Sequence, residues 1–162
     1  MLRWIPLVLI VACGSVVPAT YSADDLPDPA TLSEEWGCGT GFWASDPGQT
    51  VALRLAYQGE GQPDAQVQLP HPDWEAVFVE GSDLYANWCD DVIEADEPTP
   101  VEHWELPVVA GTLVLVGEPP EPFTGGELSV RASDLVVELP DGSEAPLGSF
   151  EITNPMWGFF AG

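Results

Sequence analysis

Lysine is missing from all 162 residues of this chain, and three arginines face 27 aspartates and glutamates, a formal charge of −24 at neutral pH. A surface of that sign repels phosphate backbones and anionic headgroups, which argues against nucleic acid as a partner and against charge-driven attachment to a bilayer. Histidine is nearly as scarce, with His71 between two prolines and His103 in Val101-Glu102-His103-Trp104-Glu105. Zinc and copper sites ordinarily gather more imidazole or thiolate than one stray ring supplies, so no histidine metal centre is expected. Long apolar runs are lacking too. The stretch from Trp4 to Ala12 is nine residues, far short of the roughly 20 that a membrane-spanning helix needs. No GxSxG or comparable nucleophile turn occurs, and among so many carboxylates no glycosidase-type pair is singled out, so no catalytic residue is named and an enzyme is not the expectation.

What is present at the amino terminus is a secretory leader: Arg3, a short apolar stretch, and then Ile10-Val11-Ala12-Cys13-Gly14. This run resembles the lipobox of a bacterial lipoprotein, an aliphatic residue and two smaller ones before a cysteine. The resemblance covers the first fourteen residues and implies cleavage before Cys13, acylation of that thiol, and a protein tethered outside the cytoplasm. Two acyl chains, at about 0.8 kcal/mol per buried methylene, make such an anchor stable. Val17-Pro18-Ala19 also offers an ordinary secretory cleavage after Ala19. Residues 1–12 thus read as signal peptide. Residues 13–33, small, polar, acidic and proline-rich, read as a flexible stalk.

Either cleavage leaves Cys38 and Cys89, and two cysteines in an exported chain are most simply a disulfide. Closing that loop of about 52 residues contributes about 4 kcal/mol on the chain-entropy model.

From Glu34 onward short apolar alternations are separated by Gly, Pro and Asp. The clearest places Val51, Leu53, Leu55 and Tyr57 on one face, and Thr50, Ala52, Arg54 and Ala56 on the other, which is the period of a half-buried strand. Leu128 and Val130 form one such run, and Leu135, Val137 and Leu139 another; Pro140-Asp141-Gly142 reads as a turn. No helical period is sustained. The expected fold is all-β: a single antiparallel β-sandwich over residues 34–162, with about nine short strands. It is only loosely immunoglobulin-like, because Trp43 follows Cys38 too soon and Tyr85 precedes Cys89 by four positions instead of two.

Two groups carry the candidate binding chemistry. Asp90, Asp91, Glu94, Asp96 and Glu97 crowd one segment and offer the oxygen ligands of a weak calcium site, although the spacing is not an EF-hand loop and the simpler reading is a solvated acidic loop. No other cofactor is expected. Trp74 and Trp104 are the tryptophans chosen for a sugar-binding platform, with core packing as the simpler role of the indoles. The resulting expectation is a lipid-anchored envelope protein that binds or scaffolds a basic partner. A secreted glycan-binding module or glycan-active enzyme is the alternative. Because the acidic surface repels itself, the unfolding midpoint should rise by several degrees between about 0.1 and 1 M NaCl as the screening length falls from about 10 to 3 Å; a flat or falling midpoint in thermal melts would count against that repulsion.

Overall fold

The structure, a computed structural model, describes residues 20–86, 98–119 and 125–158. Eight strands lie among these residues: β1 Glu34–Trp36, β2 Gly41–Ser45, β3 Val51–Tyr57, β4 Gln66–Leu69, β5 Trp74–Ser82, β6 Val101–Val116, β7 Gly126–Glu138 and β8 Glu144–Trp157. Every ladder is antiparallel. The order β1-β2-β3-β5-β6-β7-β8 is a meander of sequence neighbours, and β4 continues the edge of β6 beyond β5. The sheet curls until β8 meets β1 and β2, so that it is nearly closed into a barrel. The all-β, antiparallel expectation therefore holds. The order, however, contains no Greek-key crossover of the immunoglobulin kind.

Several strands are longer than the sequence pattern implied, and the reason is visible in the phase of burial. In β6 the inward residues Leu106 and Val108 give way to Leu113 and Leu115. In β7, Val130 and Ala132 give way to Leu135 and Val137, and in β8 Leu147 is followed by Phe150. Each change skips an odd number of positions, so the alternation slips while the strand continues. The slips coincide with register shifts in neighbouring ladders, forming a row of bulges across three strands. Bulges bend and twist a sheet, and here they turn the long strands around the core. Gly111 sits in that row at φ 140°, where an added Cβ would lie 2.5 Å from Leu135 Cδ2.

One large core fills the interior, with Phe42, Leu53, Leu55, Phe78, Leu128, Val130, Leu135 and Ile152 at its centre. A smaller cluster of Ala52, Val77, Val79 and Leu84 covers the outer face of β3 and β5. Residues 20–33 depart from the expected stalk. They form 3-10 turns at Ala23–Asp25 and Pro29–Thr31, and they bury Tyr21 and Leu32 in the main core. Ser22 and Asp25 tie the first turn through bonds of 2.8 and 2.7 Å, and Asp28 accepts from Ala30 N at 3.0 Å in the second.

The barrel is sealed by Asn154 of β8, a fully buried side chain. Its amide donates to Gly41 O at 2.7 Å and to Gly39 O at 3.4 Å, while its oxygen accepts from Met156 N at 2.8 Å. Gly37 leaves the room for it, since a Cβ there would lie 2.7 Å from Asn154 Cγ. Removing the amide strands buried carbonyls, so Asn154→Ala should cost about 2–4 kcal/mol in urea unfolding, and Asn154→Leu, which preserves volume, should not restore it. A loss below half a kilocalorie in either variant would mean that the seam holds without the amide.

Candidate functional site

Several residues singled out by sequence lie outside the described residues: Cys13, Cys89, and all of Asp90, Asp91, Glu94, Asp96 and Glu97. Cys38 is half-buried in the link between β1 and β2, where its carbonyl accepts from Gly41 N at 2.9 Å. Among the described residues, no group of three or more His, Cys, Asp or Glu side chains is placed to hold a metal ion. His71 lies at the start of β5, its Nδ1 accepting from Asp73 N at 3.2 Å, and His103 is exposed on β6.

The two tryptophans chosen for sugar binding do not form a platform. Trp74 is buried at 6 % exposure, although proline-flanked His71 and Asp73 made its surroundings look like an exposed loop. Its ring stands 5.5 Å from Tyr57 and 6.3 Å from Phe42, which in turn lies 5.0 Å from Trp157. This is a core aromatic chain, and Trp74 begins β5 facing inward because Tyr57 pairs with it across the ladder. Trp104 is half-buried, 5.7 Å from Tyr21 of the amino-terminal segment. Burial, with the nearby Glu80 charge and hydrogen bond, pushes the Tyr21 phenol well above its ordinary pKa. Trp104 also borders an open depression of about 540 Å³ shared with Glu105, Glu138 and Asp141.

A second depression, of about 480 Å³, is built by residues that sequence reasoning did not bring together. Its frame is the β2–β3 turn. Asp46 accepts from Thr50 N at 2.7 Å, Val51 N at 2.9 Å, Thr50 Oγ1 at 3.0 Å and Gly48 N at 3.1 Å. Burial raises the affinity of this carboxyl for its proton, but the bonds from Val51, Thr50 and Gly48 together outweigh it and hold the pKa below the usual carboxylate range. The turn ends in Gln49 at φ 55°, a left-handed conformation disfavoured for a residue with Cβ. Gln49 O then accepts from Leu84 N at 3.2 Å, which fixes the segment after β5 and with it Tyr85.

Tyr85 meets Trp36 at an interplanar angle of 82°, and Trp36 stacks on Trp43 of β2 at 4.8 Å. Glu34 and Ser45, paired across β1 and β2, complete the walls.

The described arginines are both engaged by carboxylates. Arg54 reaches Glu75 at 3.2 Å and Glu102 at 3.3 Å, and Arg131 reaches Glu151 at 3.0 Å. Such surface pairs contribute about 0–1 kcal/mol each. Compared with protein-family models, with curated proteins and with solved structures, the chain matches none.

The Asp46 turn generates a pH prediction. Its folded pKa lies below the unfolded value of about 3.9, so its stabilisation is present above that value and fades as pH falls through the folded one. Discounted for solvent exposure, Asp46→Asn should lose about 1 kcal/mol near pH 7 and nearly nothing at about pH 2. Urea midpoints at both pH values measure it, and an equal loss at both would assign the effect to geometry instead of charge.

Proposed function

We propose that this chain is a lipid-tethered binding or scaffold protein of a bacterial cell envelope, acylated at Cys13, which presents a rigid acidic barrel to a basic partner. The observation that carries the reading is the charge: 27 carboxylates and no lysine, with both described arginines already held by glutamates. Such a surface attracts cationic partners over a screening length and gives them fast, salt-sensitive association. The lipobox-like run Ile10-Val11-Ala12-Cys13 supports the address.

Cys38 and Cys89 form the disulfide in this reading. Support comes from cysteine parity, since either cleavage leaves two cysteines, and from Cys38, which is half-buried in the β1–β2 link. The bridge would pin the segment after β5 to the β1–β2 link, next to the seam that Asn154 closes.

The ordered packing of residues 20–33 shortens the tether. In this reading seven residues, 14–20, separate the acylated cysteine from buried Tyr21, and seven residues reach at most about 25 Å. The barrel therefore works close to the bilayer surface. The glycan alternative is weakened by the burial of Trp74 and the partial covering of Trp104.

Palmitate labelling of cells expressing the full chain should mark the protein and vanish in Cys13→Ser, with the protein leaving the membrane fraction. Pull-down from envelope extract should then retain a basic protein at about 0.1 M salt and release it at about 1 M. A mature species beginning at Thr20 would overturn the tether, and a polysaccharide retained at high salt would overturn the basic partner.

A further inference from the structure

We propose that the depression beside Tyr85 is a binding site for an organic ammonium group, with the phenol ring as its apolar wall and Glu34 as its counter-charge. The inference deepens the reading of a cationic partner by naming the chemistry of one contact, and it rests on that reading.

Four observations carry it. Tyr85 is 44 % exposed, the only aromatic among the large exposed hydrophobic side chains of the described residues. It is nevertheless fixed in place, by the near-perpendicular Trp36 ring and by the adjoining Leu84, which is fully buried. A held, half-exposed ring next to an anionic wall is the arrangement that attracts a cation through the ring quadrupole.

The polar lining is anionic and rich in acceptors. Glu34, Asp46, Gln49 and Ser45 surround the space, and among the described residues no basic side chain lines it. The two carboxylates differ in availability. Both oxygens of Asp46 are occupied by its own turn, so it supplies negative potential without free lone pairs. The Glu34 carboxylate has no partner among the described residues, and Glu34 is exposed at the start of β1.

This asymmetry selects the ligand. A bare calcium ion wants six to eight oxygens, and one free carboxylate with an amide and a hydroxyl falls short of that. A neutral sugar can donate hydroxyls to Glu34 but leaves its negative charge uncompensated. An alkylated ammonium uses both halves of the site, because its methyl groups tolerate contact with the ring while its diffuse charge needs no complete ligand shell. The space, about 480 Å³, takes such a headgroup together with the chain that bears it.

The test is titration of the full chain with choline, with tetramethylammonium, and with the neutral tert-butyl isostere of choline, at constant ionic strength, by calorimetry and by the NMR shifts of the Tyr85 ring. Both cations should bind saturably in the millimolar range, and the isostere about tenfold more weakly. Tyr85→Leu and Glu34→Gln should each weaken choline about fivefold, Tyr85→Phe should retain it, and Glu138→Gln in the other acidic depression should leave it unchanged. Glu34 is exposed, so its variant reports on binding even if Tyr85→Leu disturbs the fold.

Equal affinity for the isostere would reduce the site to apolar contact. Equal loss in Glu138→Gln would reduce it to a diffuse counter-ion atmosphere. Either result, or no saturation at about 100 mM probe, overturns the proposal. The pull-down reports on the whole acidic surface and this titration on the depression alone, so ammonium binding without a retained protein would remove the macromolecular partner and keep the site.

Discussion

The closure of the sheet depends on a junction that ordinary strand pairing does not supply. The ring of strands β1-β2-β3-β5-β6-β7-β8 has an odd number of members, and each is antiparallel to the next. Carried around a circle, that alternation brings the first and last strands side by side in the same direction. The chain answers with a single parallel bridge, Gly39 to Trp157, and with the side chain of Asn154 in place of a ladder. An amide is suited to this because it donates and accepts at once, satisfying carbonyls of the β1–β2 link and an amide of its own strand. Burial makes those bonds obligatory, since an unmade one would leave polar groups without water. Glu35, accepting from Thr153 N at 3.4 Å, extends the same seam toward solvent. Edge strands that would otherwise invite pairing with other chains are thereby largely covered.

Curvature has a separate source. A sheet of long regular strands would stay open; the bulges in β6, β7 and β8 stand beside one another and bend three strands together. Bend and seam share a strand, since the register slip opposite Leu135 and the Asn154 contact to Gly41 both lie in β8. The bends also account for what the sequence hid. A period-two pattern read in a fixed window breaks wherever the phase slips, so Leu128-Val130 and Leu135-Val137-Leu139 looked like separate strands. They are one strand with an extra residue.

Other features were legible where the physics is local and illegible where it is not. The faces of β3 and the Pro140-Asp141-Gly142 turn follow from alternation and turn chemistry, and both are present, the turn closed by Leu139 N to Ser143 O at 2.8 Å. The near-barrel closure and the role of Asn154 depend on contacts more than a hundred residues apart, for which no short pattern exists. Trp74 was misplaced because polar, proline-rich neighbours said loop while the cross-strand partner Tyr57 placed it in the core. Residues 20–33 were misplaced because composition judges a segment's own burial, and Tyr21 and Leu32 are buried by a surface belonging to the rest of the chain. The Tyr85 corner escaped notice because its members come from three separate stretches, joined only when β1, the β2–β3 turn and the segment after β5 meet.

These placements divide the molecule into a part that specifies the fold and a part free to specify a partner. Core, seam and bends use apolar side chains, glycines and one amide, and almost none of the 27 carboxylates. Asp46 is the fullest exception, its charge consumed by its turn, and Asp25, Asp28 and Asp141 likewise tie local turns. The rest of the acidity is therefore not explained by folding, and by repelling itself it works against the compact state. A burden of that kind is retained where an external cation relieves it, either salt in the surroundings or a bound partner. The two differ in what they require of the surface. Salt screening asks only for density of charge, whereas a partner asks for a place where charge, shape and an apolar contact coincide. Among the described residues, the corner of Tyr85, Trp36 and Glu34 is where a half-exposed aromatic ring and an unengaged carboxylate meet in one depression. Acidity there is accompanied by a rigid apolar wall, which screening alone has no use for.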